Sequence, residues 1–205
     1  MHYPSILFGL LILLLYPLRY QSWLLYFLLL HPYRENYVKS RLHHILEYLG
    51  SSRVRGKRVL DIGACLGYFG QMFARMGAEV TMVEHDVVHY ELLIELNKLL
   101  HVKCRTVLQP FEDYESEIKF DIAIMLTVFY PYMDDDALKI KFLNKVEKYV
   151  KHILIWESGD NPEFEKEQIM RHTKFRVFKH LCFTYATGKF REMGIFFADK
   201  NLLVK

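Results

Sequence analysis

The sequence predicts an α/β fold with parallel strands and a nucleoside-sized site, carrying an apolar segment at its N-terminus. Three observations predict it. Residues 57–86 read as strand, glycine-rich turn, helix and second strand. An acidic residue, Glu84, ends that second strand, about twenty residues past the turn. Residues 5–30 are almost continuously apolar, unlike anything after them.

The N-terminal segment comes first in chain order. Residues 5–16 and 23–30 are apolar, and Pro17, Arg19, Gln21 and Ser22 lie between them. The run is long enough for one span, which needs roughly 20 apolar residues. Arg19 near its centre would cost about 2.5–3.5 kcal/mol on an insertion scale, which the leucines can offset. The other arrangements are two short interfacial helices broken at Pro17, or a helix packed on the domain or on a second subunit. No basic region precedes the run and no small-residue cleavage site follows it, so a cleaved signal peptide is not expected. Arg34, Lys39, Arg41, Arg53, Arg55, Lys57 and Arg58 outnumber Glu35 and Glu47 after it. That excess places the following domain on the cytoplasmic side if the segment inserts. The expected divisions are therefore an anchor at residues 1–32, an amphipathic helix and basic linker at 33–56, and the α/β domain at 57–205.

Within residues 33–49, Tyr37, Val38, Leu42, Ile45, Leu46 and Leu49 recur at helical spacing. Arg58 to Ile62 is a short apolar strand ending in a carboxylate, Asp61. Gly63, Gly67 and Gly70 let the backbone bend tightly and approach a ligand. Residues 69–76 form a helix stopped by Gly77, and residues 79–83 form the second strand.

The turn reads D-I-G-A-C-L-G rather than G-x-G-x-x-G. A carboxylate at the strand end repels a pyrophosphate, so a dinucleotide fits poorly. A ligand with an amino group and a sulfonium suits it better. On these residues the chain resembles the class I S-adenosylmethionine-dependent methyltransferases, whose first motif reads roughly V-L-D-x-G-x-G-x-G. Cys65 replaces the usual middle glycine, as the D-I-G-A-N-x-G-Y-F subset of the family also departs there. The resemblance implies a Rossmann-like seven-stranded sheet, mostly parallel with an antiparallel last strand, and helices on both faces. It implies S-adenosylmethionine as cofactor, held by Asp61, Gly63, Ala64, Cys65 and Gly67, with Glu84 on the ribose hydroxyls and His85 beside the adenine.

The later elements follow. A helix is expected over 91–100, a third strand over 102–108 and a fourth over 120–126, ending at Leu126 beside the cofactor. By position in the family, Gln109 and Phe111 would hold the adenine. The segment Thr127-Val128-Phe129-Tyr130-Pro131-Tyr132 corresponds to the family's S-V-F-H-H, where cofactor and substrate meet. Tyr130 and Tyr132 are substrate candidates there, with core packing as the other reading. The run Asp134-Asp135-Asp136 is read as a helix start with Asp134 as N-cap, not as a metal site. A helix is expected over 138–150 and a fifth strand over 152–156. Glu157, at that strand's end, is a candidate general base, with Tyr130 behind it. A helix over 161–172 and strands over 175–181 and 194–198 close the sheet, with 185–191 as the connecting loop.

Composition narrows the rest. The 205 residues fit one domain plus an appendage. A net charge of +3 gives no global pull toward nucleic acid. Cys65, Cys104 and Cys182 are far apart and odd in number, which fits a reducing compartment and offers no metal spacing. The expected activity is methyl transfer at a membrane to an oxygen or nitrogen of a small molecule or lipid. A soluble, protein or RNA acceptor, or a silent nucleoside-binding relative, are the alternatives.

Overall fold

A computed structural model describes residues 40–186 and 189–203. The apolar segment at 5–30 lies outside the described residues. Among the described residues no helix is long and apolar enough to cross a membrane.

The order is α1 (Arg41–Leu49), α2 (Ser51–Val54), β1 (Arg58–Ile62), α3 (Tyr68–Arg75), β2 (Glu79–Glu84), α4 (Val87–Leu99), β3 (Arg105–Leu108), β4 (Phe120–Leu126), α5 (Asp136–Tyr149), β5 (Val150–Glu157), α6 (Pro162–His172), β6 (Val177–Ala186) and β7 (Lys189–Phe197). The strands form one sheet in the order β3-β2-β1-β4-β5-β7-β6. β1 to β5 are parallel, and β7 enters antiparallel between β5 and β6.

Register places two sets of side chains on opposite faces, because neighbours along a strand alternate. Asp61, Met82 and Ile124 are cross-strand neighbours on one face. That face takes α3 and α4, since a Cβ at Gly70 would strike Met82 and one at Gly67 would strike Leu93. Phe197, on the same face, meets Tyr48 of α1 at 6.1 Å between rings. Ile62, Val83 and Met125 point the other way. They join Leu154, Trp156, Phe142, Leu143, Val146 and Ile169 in the main core under α5 and α6. Strands buried on both faces explain their continuous apolar sequences.

Several boundaries differ from the sequence expectation. The basic linker contains the short helix α2, because Val54 is fully buried and pins it. α4 starts at Val87, where Asp86 caps it by accepting from the His89 amide at 2.8 Å. β3 begins only at Arg105, since the Val102 amide still bonds back to Asn97 and His101 takes a left-handed turn. Asp135, not Asp134, caps α5 by accepting from the Leu138 amide at 3.0 Å. A single turn of 3₁₀ helix at Tyr130–Tyr132 carries the chain one residue further before the helix starts. Most of 185–191 is strand rather than loop, because Tyr185 pairs with Phe190 and Thr184 with Arg191 across a long hairpin.

Candidate functional site

The C-terminal ends of β1 and β2 are joined by the glycine turn. The amides of Gly63 and Ala64 both donate to the Val83 carbonyl, at 2.9 and 3.1 Å. Gly63, Cys65 and Gly67 all take left-handed backbone, with φ of 65°, 52° and 80°. Glycine does this freely and cysteine does not. Gly67 then caps α3, and its own amide donates to the Ala64 carbonyl at 2.8 Å.

Glu84 closes the unit. One carboxylate oxygen accepts from the Cys65 amide at 2.7 Å, and the other from the His85 and Asp86 amides at 2.9 Å each. It is buried, and these three donors replace the water it has lost. Asp61 is buried beneath the turn and accepts from the Gly70 amide at 2.9 Å. Burial pushes its carboxyl up to about 7; the Gly70 amide works against this and the Glu84 charge adds to it. Burial, then Glu84, pushes the Cys65 thiol up to about 12, so it is a neutral thiol and no nucleophile.

The fold thus brings Asp61, Gly63, Ala64, Cys65, Gly67, Glu84 and His85 together. The His85 side chain is 71% exposed, with Nδ1 3.3 Å from Glu84. Gln109 is half-buried alongside, its amide bonded to the Glu84 carbonyl at 2.9 Å. The glycines also serve the chain's own packing. A Cβ at Gly63 would lie 2.7 Å from Val128, and one at Gly67 would lie 2.1 Å from Leu93.

Two expected roles do not match the geometry. Phe111, read as an adenine contact, is buried in the main core with its ring 4.9 Å from Phe142 and 6.1 Å from Tyr114. The 3₁₀ turn Phe111–Asp113 directs it inward. Glu157, read as a general base, has no exposed surface. Its oxygens accept from the Thr127 and Thr184 hydroxyls, each at 2.6 Å. A base must reach the proton it takes, and both oxygens here are held by hydroxyls inside the protein.

The pairing of Thr127 and Thr184 with Glu157 is not legible in the sequence. Thr127 follows Leu126, the half-buried end of β4, and sits at φ 59°, strained for a β-branched residue. Its neighbour Val128 fills the space left at Gly63. Thr184 is distant in sequence, and the hairpin alone brings it to Glu157.

Tyr130 is 41% exposed, and Gly159 lies against its Cβ. Tyr130, Met133, Asp134, Asp160, Asn161 and Phe164 line a cavity of about 630 Å³ at this end of the sheet. Tyr132 turns away and donates to Glu112 at 2.8 Å. Burial and Glu112 push its hydroxyl above the usual range. A larger cavity of about 900 Å³ lies at the opposite edge, where β1 to β4 begin, among Arg58, Glu79, Cys104 and Phe120. It is far from the glycine turn by topology.

Solved structures share this fold. The magnesium protoporphyrin IX methyltransferase of Synechocystis PCC 6803, solved with SAM bound, is 15% identical, with a TM-score of 0.62 over 73% of this chain and 73% of that one. The chain has the fold of the class I S-adenosylmethionine-dependent methyltransferases. The N-methyltransferase NodS of Bradyrhizobium japonicum, in complex with S-adenosyl-L-homocysteine, is 14% identical, with a TM-score of 0.63 over 82% of this chain and 91% of that one. A 16S rRNA methyltransferase of T. thermophilus, in complex with AdoMet and guanosine, is 23% identical, with a TM-score of 0.60. There the match covers 80% of this chain and 44% of that one. No family model and no curated protein matches the sequence. In this methyltransferase fold the glycine turn and the 630 Å³ cavity sit at the same end of the sheet, where open α/β sheets bind ligands.

Proposed function

We propose that this protein is an S-adenosylmethionine-dependent methyltransferase that works at a membrane and methylates an oxygen or nitrogen of a small-molecule or lipid acceptor. One observation carries the reading: Glu84 and the left-handed turn Gly63–Gly67 form a single hydrogen-bonded unit at the C-terminal strand ends, 2.7 Å from carboxylate to turn amide. The donor set fits the cofactor. A carboxylate has about four lone-pair sites, and Glu84 uses three of them on backbone amides. The remaining one can accept from a ribose hydroxyl. Ala64 and Cys65 lie in the turn, His85 and Gln109 border it, and Leu126, the half-buried last residue of β4, ends a strand next to β1. Asp61 supports the turn through the Gly70 amide.

When bound, the cofactor supplies a methyl group already made electrophilic by a positive sulfur. The chain then has to position the acceptor and exclude water. Tyr130 is the exposed side chain suited to the acceptor, held by Gly159 at the cavity wall. With Glu157 enclosed, an acceptor amine that needs no base suits the site better than an alcohol. Membrane association is supported by the apolar run at residues 5–30, proposed as an anchor at 1–32, and the basic excess behind it favours a cytoplasmic face for the domain at 57–205.

A silent relative is the second reading, favoured by Val128 and Leu93 filling the spaces at Gly63 and Gly67. Titration calorimetry with S-adenosylmethionine separates the two. The expected result is saturable one-to-one binding that weakens at least tenfold in Glu84→Gln. A wild-type chain that gives no heat of binding would sink the enzyme reading. Incubating membranes with methyl-labelled cofactor and protein then shows which fraction accepts the label.

A further inference from the structure

We propose that the tip of the β6–β7 hairpin is a second membrane contact, one that lays the cavity end of the domain on an anionic bilayer. The inference rests on the membrane association proposed above and adds a specific surface to it.

The hairpin overhangs the sheet. Glu157, the last residue of β5, pairs with Met193, which in turn pairs with Cys182. Phe183 to Ala186 and their partners Lys189 to Glu192 continue past that level. At roughly 3.3 Å per residue the arm reaches about 13 Å beyond the strand ends. It projects from the end that carries the glycine turn and the cavity beside Tyr130.

Its two faces differ. Thr184 and Arg191 are a cross-strand pair on the inner face. The Thr184 hydroxyl donates to Glu157 at 2.6 Å, and Arg191 donates to the Ser158 carbonyl at 3.3 Å. Lys189 adds an ion pair to Asp160, a cavity-lining residue, at 2.7 Å. The arm is therefore fixed to the body. Alternation places Phe183, Tyr185 and Phe190 on the other face. They are 65%, 60% and 74% exposed, the largest exposures among the buried-type large side chains described. The Tyr185 and Phe190 rings meet at 4.9 Å and extend the patch as one surface.

Charge selects the occupant. Lys189 stands half-exposed beside Phe190, while Glu192, the one carboxylate of the arm, is buried and paired with Lys166 and His180. Exposed aromatic rings with a cation beside them seat at the headgroup level of an anionic bilayer, rings inward and the cation among phosphates. The same chain supplies an apolar run of membrane length at residues 5–30, which favours lipid over the single-stranded RNA that such a surface also suits.

The test uses the full chain with Trp23→Phe, leaving Trp156 enclosed in the core, and adds Phe190→Trp as a reporter. Vesicles of phosphatidylcholine and phosphatidylserine carry bromine on their acyl chains. The reporter emission is expected to fall at least twofold on vesicle binding, relative to the same chain without Phe190→Trp. A chain that floats with the vesicles while the reporter stays unquenched overturns the hairpin contact and leaves membrane association standing. A chain that does not float overturns both. Tight binding of a single-stranded RNA that is lost in Phe183→Ser/Tyr185→Ser/Phe190→Ser, or a dimer lost in that variant, also overturns the bilayer assignment. Calorimetry with the cofactor is unaffected by any of these outcomes.

Discussion

Cys65 holds a backbone conformation that favours glycine, at the point where the turn passes closest to Glu84. Left-handed backbone costs a non-glycine residue roughly 1–2 kcal/mol. Cys65→Gly relieves that strain but frees the unfolded chain and removes a half-buried thiol. Its stability should stay within about 1 kcal/mol of the parent. Cys65→Val puts a β-branched side chain at the same φ and should be about 2 kcal/mol less stable than Cys65→Gly. Urea unfolding of the two variants checks this, and equal midpoints would refute it. The neighbouring Glu84 has a different sensitivity. Truncation to Ala removes the acceptor of three part-buried amides, at up to about 1–3 kcal/mol each, so the conservative Gln is the better probe of ligand binding.

Among the elements, the β6–β7 hairpin depends on one close approach. Gly194 sits where a Cβ would lie 2.4 Å from the Phe178 ring and 2.6 Å from the Lys179 carbonyl. The carbonyl belongs to the paired strand and cannot swing aside as a side chain would. Gly194→Ala should cost about 2–3 kcal/mol through overpacking. Gly56→Ala makes the control, because nothing lies within 4 Å of its Cβ and only its φ of 71° opposes the change. It should cost about 1 kcal/mol. Thermal melts of the two variants give the comparison, and a Gly56→Ala loss equal to that of Gly194→Ala would contradict the packing argument.

Over the whole molecule, two of the buried carboxyls, Asp61 and Glu165, make stability fall as pH rises. Burial raises Asp61 and Glu165 to about 7 each, against 3.8 and 4.5 ordinarily. The folded chain therefore holds two protons that the unfolded chain has already released between pH 4 and 7. Their contribution is fully present below about pH 4 and is lost as pH rises through 7. Asp86 runs the other way. The His89 amide holds its carboxyl low, so its stabilisation is present above pH 4 and fades in acid. The melting temperature should peak near pH 5 and fall by pH 8. Asp61→Asn and Glu165→Gln should each flatten the fall, by on the order of 3 kcal/mol at pH 8. A profile unchanged in both variants would show that these carboxyls are ionised in the folded protein.

The sequence by itself determined the β1–turn–α3–β2 unit, its acids and the apolar N-terminal run, because those signals are local. A strand, a turn and a helix cap are each written within a few residues of one another, as at Val59 to Gly67. Tertiary structure decided what the side chains were free to do. Glu157 looked like a base at a strand end until β7 and the hairpin brought Thr184 across to enclose it. Phe111 looked like a ligand contact until α5 delivered Phe142 to its ring. Both outcomes turn on residues distant in the chain, and burial is a property of the packed whole that no short stretch encodes.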